Sequence, residues 1–158
     1  MFVLSTGGTT IIELARILPP DLKATFITGS LPAAMEYIQH PQIDLIFIGD
    51  KISRTSLISV SGEAISKISE IKADICLLGI NAIDTKHGIT DNDWEVVQVK
   101  KKMIESSKKV IALTISEKVN TEHRITVCDI SKVDTLITEL DPKETLFRGF
   151  HEAGVQVI

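Results

Sequence analysis

Short β-branched or wholly apolar runs alternate along this chain with longer stretches whose apolar residues recur at helical spacing. The pattern predicts strands at Phe2 to Ser5, Ala24 to Thr28, Leu45 to Gly49, Ile75 to Gly79, Val110 to Thr114, Val133 to Thr138 and Val155 to Ile158. Helices are predicted at Thr9 to Leu18, Leu31 to Ile38, Gly62 to Ile71, Asp93 to Ser107 and Pro142 to Ala153. In the first of these, Ile12, Leu14, Ala15 and Leu18 share a face, and Pro19-Pro20 ends it. Such alternation is the signature of an α/β domain in three layers, a mostly parallel sheet with helices on both faces. The continuous runs Leu45-Ile46-Phe47-Ile48 and Ile75-Cys76-Leu77-Leu78 suit strands buried on both sides. Asp50 to Ser61 is polar with a β-branched tail and reads as a loop or a small hairpin.

Composition narrows the class. A length of 158 residues with 44% hydrophobic content is one domain, residues 1–158, able to close its own core. No apolar run reaches the length of a membrane span, and the amino end runs into a glycine turn where a signal peptide would be basic and then apolar. A soluble, cytoplasmic protein is expected. Cys76 and Cys128 lie far apart in apolar surroundings, without CxxC spacing or a histidine pair, so buried free thiols and no metal site are expected. A formal charge of -4 disfavours direct contact with a polyanion and points to a small ligand.

The most informative segment is Ser5-Thr6-Gly7-Gly8-Thr9-Thr10, which follows a strand and opens a helix. There Gly7 and Gly8 let the backbone approach an anion, while Thr9, Thr10 and the free N–H groups of the first helical turn donate to it. The same residues also suffice for an N-capped helix after an ordinary tight turn. The spacing is neither GxGxxG nor GxxxxGK[ST], so neither a dinucleotide nor a nucleoside triphosphate cofactor is expected. Polar residues recur at later strand ends: Thr28-Gly29-Ser30, Gly49-Asp50 and Gly79-Ile80-Asn81. Open parallel sheets bind ligands at such ends. His87 is either an acid–base group or a solvent-facing loop residue, and Lys118 either a phosphate ligand or an exposed lysine. Of Lys100-Lys101-Lys102, at least two are expected to solvate the outer face of their helix.

Taken in order, Gly8-Thr9-Thr10, Thr28, Ser61-Gly62, Ala73-Asp74, Gly79-Ile80, Gly88-Ile89-Thr90, Glu95 with Lys100, Ser116 with Lys118, and Val133-Asp134 resemble the carboxyl-terminal sensor domain of the DeoR family of bacterial repressors of sugar metabolism. The resemblance runs over almost the whole chain. It implies the sugar-phosphate isomerase-like (Rossmann-like) fold, shared with ribose-5-phosphate isomerase and glucosamine-6-phosphate deaminase. It implies a phosphorylated sugar as effector, its phosphate held by Gly8, Thr9 and Thr10 with Lys118, and its sugar end lined by Thr28, Gly62, Gly79, Asn81, Gly88 and Glu95; Gly7 and Gly29 are expected to complete the ligand-binding set. It further implies a homodimer or homotetramer, and DNA contact only through a winged helix-turn-helix preceding Met1. Thr6 stands where the family pattern has aspartate, and Gly29 where it has asparagine. The enzymes of this fold carry an acid–base group after the fourth strand. Here that stretch keeps Asp84 alone, so a non-catalytic sensor is expected, with an isomerase or deaminase using Asp84, His87 and Glu95 as the alternative.

Overall fold

The computed structural model describes residues 1–158. Seven strands, β1 (Phe2–Ser5), β2 (Ala24–Thr28), β3 (Ile43–Phe47), β4 (Ala73–Gly79), β7 (Ser107–Leu113), β9 (Thr135–Ile137) and β10 (Gln156–Val157), form one sheet in the order β10-β9-β7-β4-β1-β2-β3. Every pairing in it is parallel. A small antiparallel sheet, β5 (Ala82–Asp84), β6 (Gly88–Asp91) and β8 (Ile125–Cys128), stands beside the carboxyl ends. The helices are α1 (Thr9–Ile17), α2 (Leu31–Tyr37), α3 (Gly62–Ser69), α4 (Trp94–Glu105) and α5 (Arg148–Glu152).

Adjacent residues of a strand point to opposite faces, so a strand covered on both sides must be apolar at consecutive positions. Val3 and Leu4 show this directly. Val3 packs with Ile11, Ala15, Ala33 and Tyr37 from α1 and α2, whereas Leu4 packs with Ala64, Ile68, Val99 and Met103 from α3 and α4. Phe26 and Ile27 divide in the same way. The expected three layers follow.

Four expectations need correction. The run Leu45-Ile46-Phe47-Ile48 is not buried on both faces: β3 is the edge strand, with Ile46 48% and Phe47 40% exposed. Its ladder to β2 pairs Ala24 with Ile43 and Thr28 with Phe47, which also starts the strand two residues earlier than predicted. The helix predicted over Pro142 to Ala153 shrinks to a 3-10 turn at Thr145–Phe147 followed by α5. Asp141 is the reason, since its side chain accepts from Lys143 N (2.9 Å) and its carbonyl from Glu144 N, locking a turn. The antiparallel sheet adds three strands to the predicted set, its strands of three or four residues being too short to display a period. Finally, Cys76 is buried as expected but Cys128 only partly so.

The segment 50–61 is a small irregular hairpin, with an antiparallel bridge between Ile52 and Ser59. No helix is long and apolar enough to cross a membrane.

Candidate functional site

Strands β1 and β4 are neighbours, but the chain departs from them toward opposite edges of the sheet, to β2 and β3 on one side and to β7, β9 and β10 on the other. The segments leaving their carboxyl ends therefore diverge and open a crevice, which is where doubly wound sheets bind ligands. Gly7 and Gly8 leave β1 there, and Gly79, Ile80 and Asn81 leave β4.

Thr6 ties the two strand ends together. Its amide donates to Leu77 O (3.0 Å), and its buried hydroxyl accepts from Gly79 N (2.8 Å). Residue 79 must be glycine for the same reason: a Cβ there would collide with the carbonyl oxygen of Gly7 and come within 3.1 Å of Ile11 Cγ1. The turn then passes through Gly8 at φ 105° and ψ 162°, a conformation reserved for glycine, and enters α1 without any side-chain cap. The first-turn N–H groups of α1 remain uncapped, and that turn carries no acidic residue.

These groups face a cavity of about 790 Å³. One wall is Gly7 to Thr10, a second is Gly79 to Asn81 with Lys118, and a third is the start of α4 with Asp91 to Val96. Thr55, Ser56 and Ile58 close it from the hairpin. Ser56 Oγ is shielded from solvent and has no hydrogen-bond partner in the protein.

The charged groups of the cavity divide sharply. Asp91 Oδ2 accepts from Lys100 Nζ (2.8 Å) and Asn81 Nδ2 (3.1 Å), and its Oδ1 accepts from the amides of Asn92 and Asp93. Burial pushes the Asp91 carboxyl up, but the Lys100 charge and these hydrogen bonds outweigh it and hold the group below the ordinary carboxylate range. Asp93 caps α4 through Val96 N, and Glu95 pairs with Lys51 (2.9 Å) across the rim. The three carboxylates are thus committed. Lys100, though paired with Asp91, has that one acceptor for its three protons, and Lys118 donates only a long bond, 3.3 Å, to Ile80 O.

Of the residues expected from sequence, Gly7, Gly8, Thr9, Thr10, Gly79, Asn81, Glu95 and Lys118 come together around this cavity. Thr28, Gly29, Gly62 and Gly88 do not. Thr28 is buried, donating to Ser5 O (2.7 Å), and with Gly29 it borders a closed crevice of about 10 Å³, too small for a ligand. Gly62 begins α3, and Gly88 is packed against the backbone at Cys128 and Asp129 with φ 69°. Asp84 Oδ2 is hydrogen-bonded to His87 Nδ1 (2.9 Å) and Glu122 Oε2 lies 2.6 Å from the same nitrogen, at the β5–β6 turn and outside the cavity. Sequence reasoning missed Thr55, Ser56, Asp91 and Trp94. Asp91 alone had a signal, as a carboxylate nine residues before a lysine on a helix of apolar period.

The DeoR C-terminal sensor domain model matches residues 1–140. The transcriptional repressor GlcR of Bacillus subtilis is 28% identical over 156 residues, covering 99% of this chain and 60% of that protein. The glycerol-3-phosphate regulon repressor of Haemophilus influenzae is 30% identical over 132 residues, covering 83% and 51%. The transcriptional regulator GlpR of Haloferax volcanii is 26% identical over 156 residues, covering 99% and 61%. The chain therefore spans only half to three-fifths of the length of these relatives. Among solved structures, eIF2B beta of Chaetomium thermophilum superposes with a TM-score of 0.52 at 15% identity, over 85% of this chain and 42% of that one, a likeness of fold alone. With the sensor-domain model matched over residues 1–140 and relatives aligned along nearly the full chain, this protein belongs to the DeoR family, to the part that forms its C-terminal sensor domain.

Proposed function

We propose that this domain is a non-catalytic sensor of a phosphorylated sugar that sets the activity of a transcriptional repressor. The observation that carries this reading is the imbalance in the cavity: its carboxylates are committed, whereas the uncapped start of α1, Lys118, Lys100 and Ser56 Oγ hold unspent donors. A ligand rich in acceptors and negatively charged meets that surface, and a phosphate at a helix start with a nearby lysine is its natural anchor. Asp84 and His87 lie outside the cavity, which speaks against a proton-transfer pair acting on the ligand.

The relatives are named as repressors and regulators, one of them of a glycerol-3-phosphate regulon, and they extend well beyond the stretch matched here. DNA contact belongs in this reading to a separate winged helix-turn-helix segment, in a homodimer or homotetramer working in the cytoplasm. The sugar phosphate acts by binding one arrangement of the subunits more tightly than the other. The open edge of β3, with Ile46 and Phe47 exposed, is an apolar surface of the kind subunit contacts cover.

A thermal-shift series over aldose and ketose phosphates tests the proposal. At a ligand concentration one hundred times its Kd, stabilisation of about 2.7 kcal/mol is expected. Absence of stabilisation by every phosphorylated sugar, or turnover of ribose 5-phosphate or glucosamine 6-phosphate, overturns it.

A further inference from the structure

The cavity's apolar lining consists of Ile58, Ile80, Trp94 and Val96. Ile58, Ile80 and Val96 are at most 7% exposed, their surface spent in packing. Trp94, 66% exposed, is the one large apolar side chain on this wall with a face still open to a ligand. It is also the only tryptophan of the chain. Its backbone is held in place, because it is the first residue of α4 and the Asp93 side chain caps that helix through Val96 N (3.1 Å). No other aromatic covers it: the aromatic pairs of the protein are Phe26 with Tyr37 and Phe147 with Phe150.

We infer that Trp94 is the stacking wall for the sugar and makes the cavity selective for ring-form sugar phosphates over their open-chain counterparts. The inference rests on the sugar-phosphate reading above. A closed sugar ring carries its hydroxyls around the rim and C–H bonds across its faces. The slightly positive C–H face is attracted to the negative face of an indole, as one aromatic edge is to another's face. An acyclic polyol phosphate presents the same phosphate and hydroxyls but no rigid apolar face, and it loses more conformational freedom on binding. The polar walls grip both alike. Discrimination between them therefore falls to Trp94.

The experiment compares aldohexose and ketohexose 6-phosphates, each beside the alditol 6-phosphate obtained by reducing it, on the wild-type chain and on Trp94→Ala and Trp94→Phe. The expected result is tighter binding of the ring form to wild type, with quenching or shift of the Trp94 emission. Trp94→Ala should weaken the ring form about tenfold and the alditol far less, and Trp94→Phe should recover most of the difference. Unchanged apo melting midpoints establish that both variants fold. If the sugar phosphates bind but the ring-to-alditol ratio is the same in Trp94→Ala as in wild type, the stacking role is wrong while the sensor reading stands. If no sugar phosphate stabilises the wild-type chain, the sensor reading fails and takes this inference with it.

Discussion

Lys100 Nζ lies 2.8 Å from Asp91 Oδ2, and the two side chains are only 6% and 3% exposed. Such a buried pair contributes little net stability compared with apolar residues, but removing one partner strands the other. Asp91→Asn should therefore cost about 3 to 5 kcal/mol. Adding Lys100→Met should return a large part of that loss. Urea unfolding of the two single variants and the double variant measures the coupling, and additive effects would refute it.

The same carboxyl predicts a dependence on pH. Asp91 is held below its ordinary range in the folded protein, so its contribution is fully present above the unfolded value, about 3.9. It is lost as pH falls through the lower folded value. Stability should decline below about pH 4, and the Asp91→Asn variant should decline less steeply over that window. Urea midpoints from pH 6 to pH 2.5 provide the check.

Gly8 and Gly79 separate the fold from the anion site. Gly79→Ala drives a Cβ into the Gly7 carbonyl and should cost about 1 to 3 kcal/mol by overpacking. Gly8→Ala meets no atom within 4 Å, but it cannot adopt φ 105° without strain, about 1 to 3 kcal/mol. Its turn should re-aim the N–H groups, leaving a folded protein that sugar phosphates no longer stabilise. Thermal shifts of both variants, with and without ligand, distinguish these outcomes.

Both thiols should be inert in the native state. Burial pushes Cys76 up to about 12 and Cys128 up to about 11, so neither forms much thiolate at pH 8. Titration with a disulfide reagent should find no fast-reacting thiol in the native protein and two after unfolding. Rapid reaction of Cys128, the less buried of the pair, would contradict this.

The amino-acid string dictates the layered sheet, because consecutive apolar residues such as Val3 and Leu4 leave no solvent-facing side on a strand. It also determined the Gly7-Gly8-Thr9-Thr10 turn, since glycines between a strand and a helix are a local signal. It did not determine which apolar run forms the edge. Leu45 to Ile48 and Ile75 to Leu78 look alike as strings, and only the strand order leaves β3 with a single neighbour. Nor did it determine the far wall of the cavity. Asp91, Lys100 and Asn81 meet because β6 folds back antiparallel on β5 and α4 follows it, and a strand of four residues carries no period that would announce this. Thr6 is the sharpest case. It stands where the family pattern has an acidic residue, and its hydroxyl joins two strand ends that lie 73 positions apart in the chain. Local spacing records what a residue does to its neighbours along the backbone, whereas a pocket is made by residues whose only proximity is in the folded state.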